Sequence, residues 1–275
     1  MALAGVFGKP WVDLSAVGGF VDTAGLPRLD DEITLALGRV PTEYTGGSHR
    51  SMGIVPPSWL ASESRFGDYG EAIRGMTDRE FLVFASLADA PHVLDLSARE
   101  SGEFGEERAY PLSRAQMRWL ETRFRVYFPW KTYLELIPGG RWVDKSRAEG
   151  KHWTRDALVH FPRTVAWIRS LPMESIGSVK LLGLAPNDHG TVHRDADPAE
   201  KTTCDEFVTF SPRADKRLFV WDEEARAEHV VTSSVYWFND SDWHGVHADP
   251  WFRYSIRVDG RFTPAFREAV AAEFG

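Results

Sequence analysis

Beyond residue 175 the chain breaks into short strand-forming runs: IGSVKLLGLA, GTVHRD, EFVTFS, RLFVWD, HVVTSSVYWFN, WHGVH and FRYSIRV. The turn-forming stretches PNDHG, SPRAD, NDSD and ADPW part them. This rhythm limits the fold more than any other feature. Many short strands joined by polar turns close into an antiparallel barrel or jelly roll. The expected fold class is mainly β with flanking helices around a cupin-like jelly-roll core.

Upstream, the helix signals are local. In SRAQMRWLETRFRVY, Ser113 is placed to cap a helix whose apolar stripe is Met117, Leu120, Phe124 and Tyr127. KTYLELI alternates as a strand and ends at the turn Pro138-Gly139-Gly140. TRDALVHFPRTVAWIRSLP predicts a helix pair, with Pro162 opening the second helix and Val165 and Ile168 on one face. Residues 1–60 read as turns and irregular wraps, notably GGFVDTAG, EYTGGS and VPPSW. We expect one domain over 1–275. Its N-terminal elaboration covers 1–112, and 176–260 is the motif-bearing part of the barrel.

Composition removes several classes. A formal charge of -8 argues against a nucleic-acid backbone as the main partner. The single Cys204 rules out an intrachain disulfide and a cysteine-rich zinc site. The sequence has no HExxH stretch for zinc hydrolysis and no GxGxxG after a strand for a dinucleotide. No apolar run approaches the ~18 residues of a membrane helix, and MALAGVFGKPWVDLS does not read as a secretory signal. A cytoplasmic protein is expected, with no membrane partner.

The chemistry lies in His193-Arg194-Asp195. Strand side chains alternate between faces, so His193 and Asp195 share one face while Arg194 takes the other. A second histidine from another strand would complete two imidazoles and one carboxylate, a set that leaves metal positions open. His244 in DWHGVH is the first choice, and His247 is its competitor. Through the ADPW turn, the His244 strand and the following FRYSIRV strand are expected to be antiparallel neighbours. Arg253, Ser255 and Arg257 share one face of the latter. An arginine with a hydroxyl two residues on can grip a carboxylate by fork geometry plus one hydrogen bond. Arg253 with Ser255 is the first choice, and Arg257 is the partner if His247 is the ligand.

Together HRD, HGV and RYS resemble the Fe(II)- and 2-oxoglutarate-dependent oxygenases, over roughly residues 176 to 260. The likeness leans toward the branch of aspartyl/asparaginyl hydroxylases and small-molecule proline hydroxylases. The resemblance implies a double-stranded β-helix, with His193, Asp195 and His244 holding Fe(II) and Arg253 and Ser255 holding 2-oxoglutarate. It also implies molecular oxygen as partner and release of succinate and carbon dioxide as a substrate C–H bond is hydroxylated. Halogenases of this kind replace the carboxylate with a small residue, so Asp195 disfavours halogenation. The implied substrate is a small molecule: an amino acid, an amino-acid derivative or a peptide side chain.

One or more of Trp130, Lys131, Tyr133, Arg141 and Trp142 could line its pocket, though aromatic packing with exposed cations is the readier explanation of each; Trp237 and Trp243 flank His244 and suit cavity wall and core packing equally. His189 has no assigned role, and the run after Asp195 reads as a loop near the site mouth. Two other readings stay open. One is a cupin-like metal-dependent dioxygenase or isomerase without 2-oxoglutarate. The other is a non-catalytic jelly-roll binding module. Oligomeric state is left open.

Overall fold

Two antiparallel sheets form where apolar and β-branched residues concentrate. A computed structural model of the protein describes residues 3–43, 69–105, 108–199, 201 and 203–275. The strands are β1 (Trp11–Asp13), β2 (Thr132–Ile137), β3 (Met173–Leu184), β4 (Gly190–His193) and β5 (Phe207–Phe210). Then come β6 (Leu218–Asp222), β7 (Ala227–Val230), β8 (Val235–Phe238), β9 (His244–Val246) and β10 (Arg253–Phe262). A six-stranded sheet runs β1-β8-β5-β10-β3-β2, and a four-stranded sheet runs β4-β9-β6-β7.

From β3 onward the chain crosses repeatedly between the sheets: β3 in the larger, β4 in the smaller, β5 in the larger, β6 and β7 in the smaller. It continues with β8 in the larger, β9 in the smaller and β10 in the larger. This is the double-stranded β-helix, or jelly roll. Leu181, Val208, Phe210, Val220 and Ile256 are fully buried in its core. That burial removes apolar surface from water and is the main favourable term for the fold.

Two expectations need correction. β9 and β10 are not neighbours: β9 pairs with β4 and β6, and β10 pairs with β3 and β5. The ADPW turn is therefore a crossing between sheets and not a hairpin. Similarly, HVVTSSVYWFN is two strands. β7 ends at Val230 and β8 starts at Val235 on the other sheet.

Helices cover the outside of the larger sheet and form a lobe. The helix pair appears as α6 (Arg155–His160) and α7 (Pro162–Arg169), with Val165 and Ile168 buried. Against them packs α1 (Leu26–Leu37), inside the segment read as irregular. Its buried Leu26, Leu29, Ile33 and Ala36 follow helical spacing. GGFVDTAG is loop and turn up to the start of α1. EYTGGS beyond Glu43, and all of VPPSW, lie outside the described residues.

The lobe holds α2 (Tyr69–Arg74), α3 (Asp78–Ser86), α4 (Leu96–Ser101) and α5 (Arg114–Phe124). Its own apolar cluster includes Phe81, Phe84, Phe104, Leu120 and Phe128. Ser113 and Gln116 form a full capping box on α5. The helix stops at Phe124 because Arg125 turns left-handed, at φ 59°, so Tyr127 leaves the stripe. After β10 the chain closes with α8 (Pro264–Phe274), anchored by buried Phe266 and Val270.

Candidate metal centre

β4 and β9 pair so that His193 lies directly opposite His244. Asp195 follows the end of β4, and its backbone N–H donates to the Asp240 carbonyl at 2.8 Å. One nitrogen from each histidine and one Asp195 oxygen all lie within 4.8 Å of one another. His193 Nε2 is 3.5 Å from Asp195 Oδ1, and His244 Nε2 is 3.9 Å from it. Arg194 points away, stacked over Trp243 at 4.6 Å and bonded to Asp197.

The tautomers follow from chemistry. His193 Nδ1 lies 2.7 Å from the Thr191 carbonyl, and His244 Nδ1 lies 2.9 Å from the Asp242 carbonyl. A carbonyl only accepts, so each Nδ1 carries the hydrogen. Both Nε2 lone pairs are left facing a carboxylate. Burial, with His193 adding to it, pulls the His244 pKa down to about 4, so the ring is neutral at pH 7. Burial raises the Asp195 pKa, but His193, His244, Lys145 and Arg257 outweigh it and hold the carboxyl well below its usual range. Two imidazole Nε2 atoms and an ionised carboxylate converge on one point. This donor set fits a divalent cation, and the carbonyl bonds on Nδ1 are the outer contacts that orient such ligands.

Asp195 Oδ2 is held by Arg257 at 3.2 Å, leaving Oδ1 to face the histidines. Arg257 also reaches Asp240 at 2.6 Å and Asp259 at 2.8 Å. Lys145 joins Asp240 at 2.8 Å and Asp205 at 2.9 Å. Burial raises the Asp240 carboxyl, but Lys145 and Arg257 bring it down to about 2. Arg257 thus braces the cluster.

One cavity joins the metal cluster to a second polar group. It is lined at one end by His193, Asp195 and His244 and elsewhere by Lys216, Ser255 and Thr209. Trp130 and Trp142 form apolar wall. Lys216 precedes β6 and is 3% exposed. Its ammonium donates to Ser255 Oγ at 2.6 Å and to the Leu182 carbonyl at 3.1 Å, with the Trp130 ring centre 5.0 Å away. Among the described residues no carboxylate makes an ion pair with it, and burial with help from Arg253 pulls its pKa down to about 7. The buried Tyr236 hydroxyl sits beside Ser255 but has no partner in good hydrogen-bond geometry. Sequence reasoning missed Lys216 and Tyr236. Within SPRADKRLF the lysine resembles surface charge, and within VYWF the tyrosine resembles ordinary core.

Other sequence candidates lie elsewhere. Arg253 is wholly buried, but its guanidinium donates to the backbone carbonyls of Ala185, Asp188, His247 and Trp251, and it does not line the cavity. His247 lies 2.9 Å from Glu228 and packs at a tilt against the Phe219 ring, outside the metal cluster. His189 stacks flat on Tyr127 at 4.5 Å. Lys131 pairs with Glu121 and Asp188, and the Tyr133 hydroxyl donates to Glu135. Arg141 borders a separate surface groove. Trp237 packs edge-on against Phe262, and its indole donates to the Asp205 carbonyl.

Fold and site together define a double-stranded β-helix with a buried two-histidine, one-carboxylate centre and a cationic anchor in the same cavity. No protein-family model matches the chain, and no curated protein matches it. Among solved structures it is similar to an oxidoreductase of the 2OG-Fe(II) oxygenase family from Burkholderia pseudomallei, at 13% identity and TM-score 0.29. That match covers 46% of this chain and 66%, just under two thirds, of the other. It is also similar to a Pseudomonas putida prolyl-4-hydroxylase, at 11% identity and TM-score 0.28, covering 48% of this chain and 73% of the other.

Proposed function

We propose that this chain is an Fe(II)- and 2-oxoglutarate-dependent oxygenase. It hydroxylates a C–H bond of a small molecule, an amino acid or amino-acid derivative, or of a peptide side chain. The observation that carries the reading is the shared cavity: an open metal-ligand set and a buried ammonium lacking an acid line the same space. A dicarboxylate with a keto acid at one end answers both demands.

In this reading His193 and His244 offer Nε2 to iron, and Asp195 offers one oxygen while Arg257 holds the other. Lys216 and Ser255, which line the same cavity, take the far carboxylate. When bound, iron and 2-oxoglutarate would activate molecular oxygen, the oxidant: one oxygen atom enters the substrate C–H bond as hydroxyl and the other enters succinate, with carbon dioxide released. No side-chain nucleophile is needed. Trp130 and Trp142 wall the cavity and limit water, which strengthens every charge interaction within it. Arg257 also lines the cavity but is already ion-paired with Asp195, Asp240 and Asp259, so it offers no free cation there.

The test is binding of 2-oxoglutarate to the anaerobic, metal-loaded protein, before and after Lys216→Met. Loss of one partner of a buried charge pair costs ~2 kcal/mol or more, so affinity falls roughly 30-fold or further. Equal affinity in the variant would remove Lys216 from the anchor.

A further inference from the structure

Arg253 opens β10 on the side that also carries Ser255 and Arg257, yet its donors are spent elsewhere. We propose that Arg253 is a positioning residue that sets the register of the two metal-ligand strands. The proposal rests on the reading above only for the identity of the ligands.

The ladder between β4 and β9 is short, four residues against three. It is also irregular between the Gly190–Val246 and His193–His244 pairs. So short a ladder fixes register weakly by itself. Register matters here because a slip of one residue turns a strand's side chains to the opposite face. Such a slip on either strand would remove an imidazole from the site.

Just past the Gly190–Val246 pair the chain leaves the ladder at Asp188 on one side and His247 on the other. Arg253 Nη2 donates to both of those carbonyls. Nη1 donates to Ala185 at 3.4 Å and Trp251 at 3.3 Å, further along the same two connectors. The Asn187 N–H adds a direct bond to the Asp249 carbonyl at 2.7 Å. The guanidinium therefore extends the ladder by a side chain and ties the β3–β4 connector to the β9–β10 connector. Its charge is met by Asp249, with Nε 3.3 Å from Oδ2, though neither atom is in hydrogen-bond geometry. Arg217 in turn holds Asp249 at 2.7 Å.

Only arginine combines a fixed planar fork with enough donors for four carbonyls. A lysine keeps the charge but has three donors and no fork. Buried carbonyls deprived of donors are costly, so the connectors would shift to find others.

The test uses the full chain with Arg253→Lys, and with Arg253→Gln should the first fold poorly. Two readouts are needed. In metal-free protein, amide hydrogen exchange in β4 and β9 should quicken ~10-fold while β3 and β10 stay protected, as a local opening requires. Co(II), used as the metal probe, should bind ~10–100-fold more weakly with an altered visible spectrum, as when an outer contact of a ligand is lost. Affinity of the Co(II)-saturated Arg253→Lys variant for 2-oxoglutarate should remain near wild type, because the charge that acts on Lys216 is kept. Unchanged exchange in β4 and β9 would overturn the proposal. Intact Co(II) binding with weakened 2-oxoglutarate binding would also overturn it, and would make Arg253 the anion receptor. A wild-type protein that takes no Co(II) would defeat the oxygenase reading, while exchange would still decide the role of Arg253.

Discussion

Lys216 is a buried ammonium that donates to a hydroxyl and a carbonyl but meets no acid among the described residues. With its pKa drawn down to about 7 by burial, it stands near half-protonation at neutral pH when the cavity is empty. A bound carboxylate raises that value. The affinity gained is full below pH 7 and is lost as pH rises through 7 toward the raised value, by about tenfold per unit. Calorimetric titration of 2-oxoglutarate between about pH 6 and 9 should show this slope. It should vanish in Lys216→Arg, because a guanidinium stays charged; a slope of the same size in that variant would contradict the assignment. Asp195 faces a different test. Asp195→Ala removes a ligand and strands the Arg257 fork, so metal affinity should fall by at least the ~10–100-fold that loss of an outer contact costs. Metal titration checks it. At this scale the pairing of His193 with Asp195 was readable because a spacing of two on a strand is a geometric statement. Lys216 was not readable, since a lysine in a turn and a lysine in a cavity are the same letter in the same kind of sequence.

β9 is three residues long and sits between β4 and β6, so its middle residue must be small. A Cβ on Gly245 would come within 2.7 Å of the Phe219 ring and 3.0 Å of the Gly190 carbonyl. Gly245→Ala should cost about 1–3 kcal/mol by overpacking, and should weaken metal binding more than a destabilised but distant variant of equal cost. Denaturant midpoints and Co(II) titration together check this; full metal affinity at reduced stability would separate Gly245 from the ligand geometry. Strand runs were legible because apolar residues between turn residues leave few options. Their partners were not, because turn chemistry does not reveal which sheet a strand joins. His244 and Arg253 lie nine residues apart and read as a hairpin, yet they stand on opposite sheets. The failure at α1 has a different cause. Its apolar spacing was present in LPRLDDEITLAL, but flanking glycines and prolines drew attention to turns.

Across the whole molecule two apolar cores stand apart: the barrel with its covering helices, and the lobe from Tyr69 to Phe128. His193, Asp195 and His244, the candidate metal cluster, belong to the barrel alone. Metal at about 100-fold above its dissociation constant should stabilise the barrel by about 2.7 kcal/mol, which raises its melting temperature by roughly 5–10 °C. Calorimetry with and without chelator checks this. Should the lobe melt separately, its transition should not move. Among the described residues no helix is long and apolar enough to cross a membrane. If one cavity holds iron and 2-oxoglutarate together, anaerobic titration of metal-free protein with Fe(II), then with 2-oxoglutarate, followed by visible absorption, reads it directly. A weak charge-transfer band should appear, require both additions and be lost in Asp195→Ala. Iron uptake with no band on adding 2-oxoglutarate would contradict it and favour a metal enzyme of another kind; no iron uptake would leave a non-catalytic barrel.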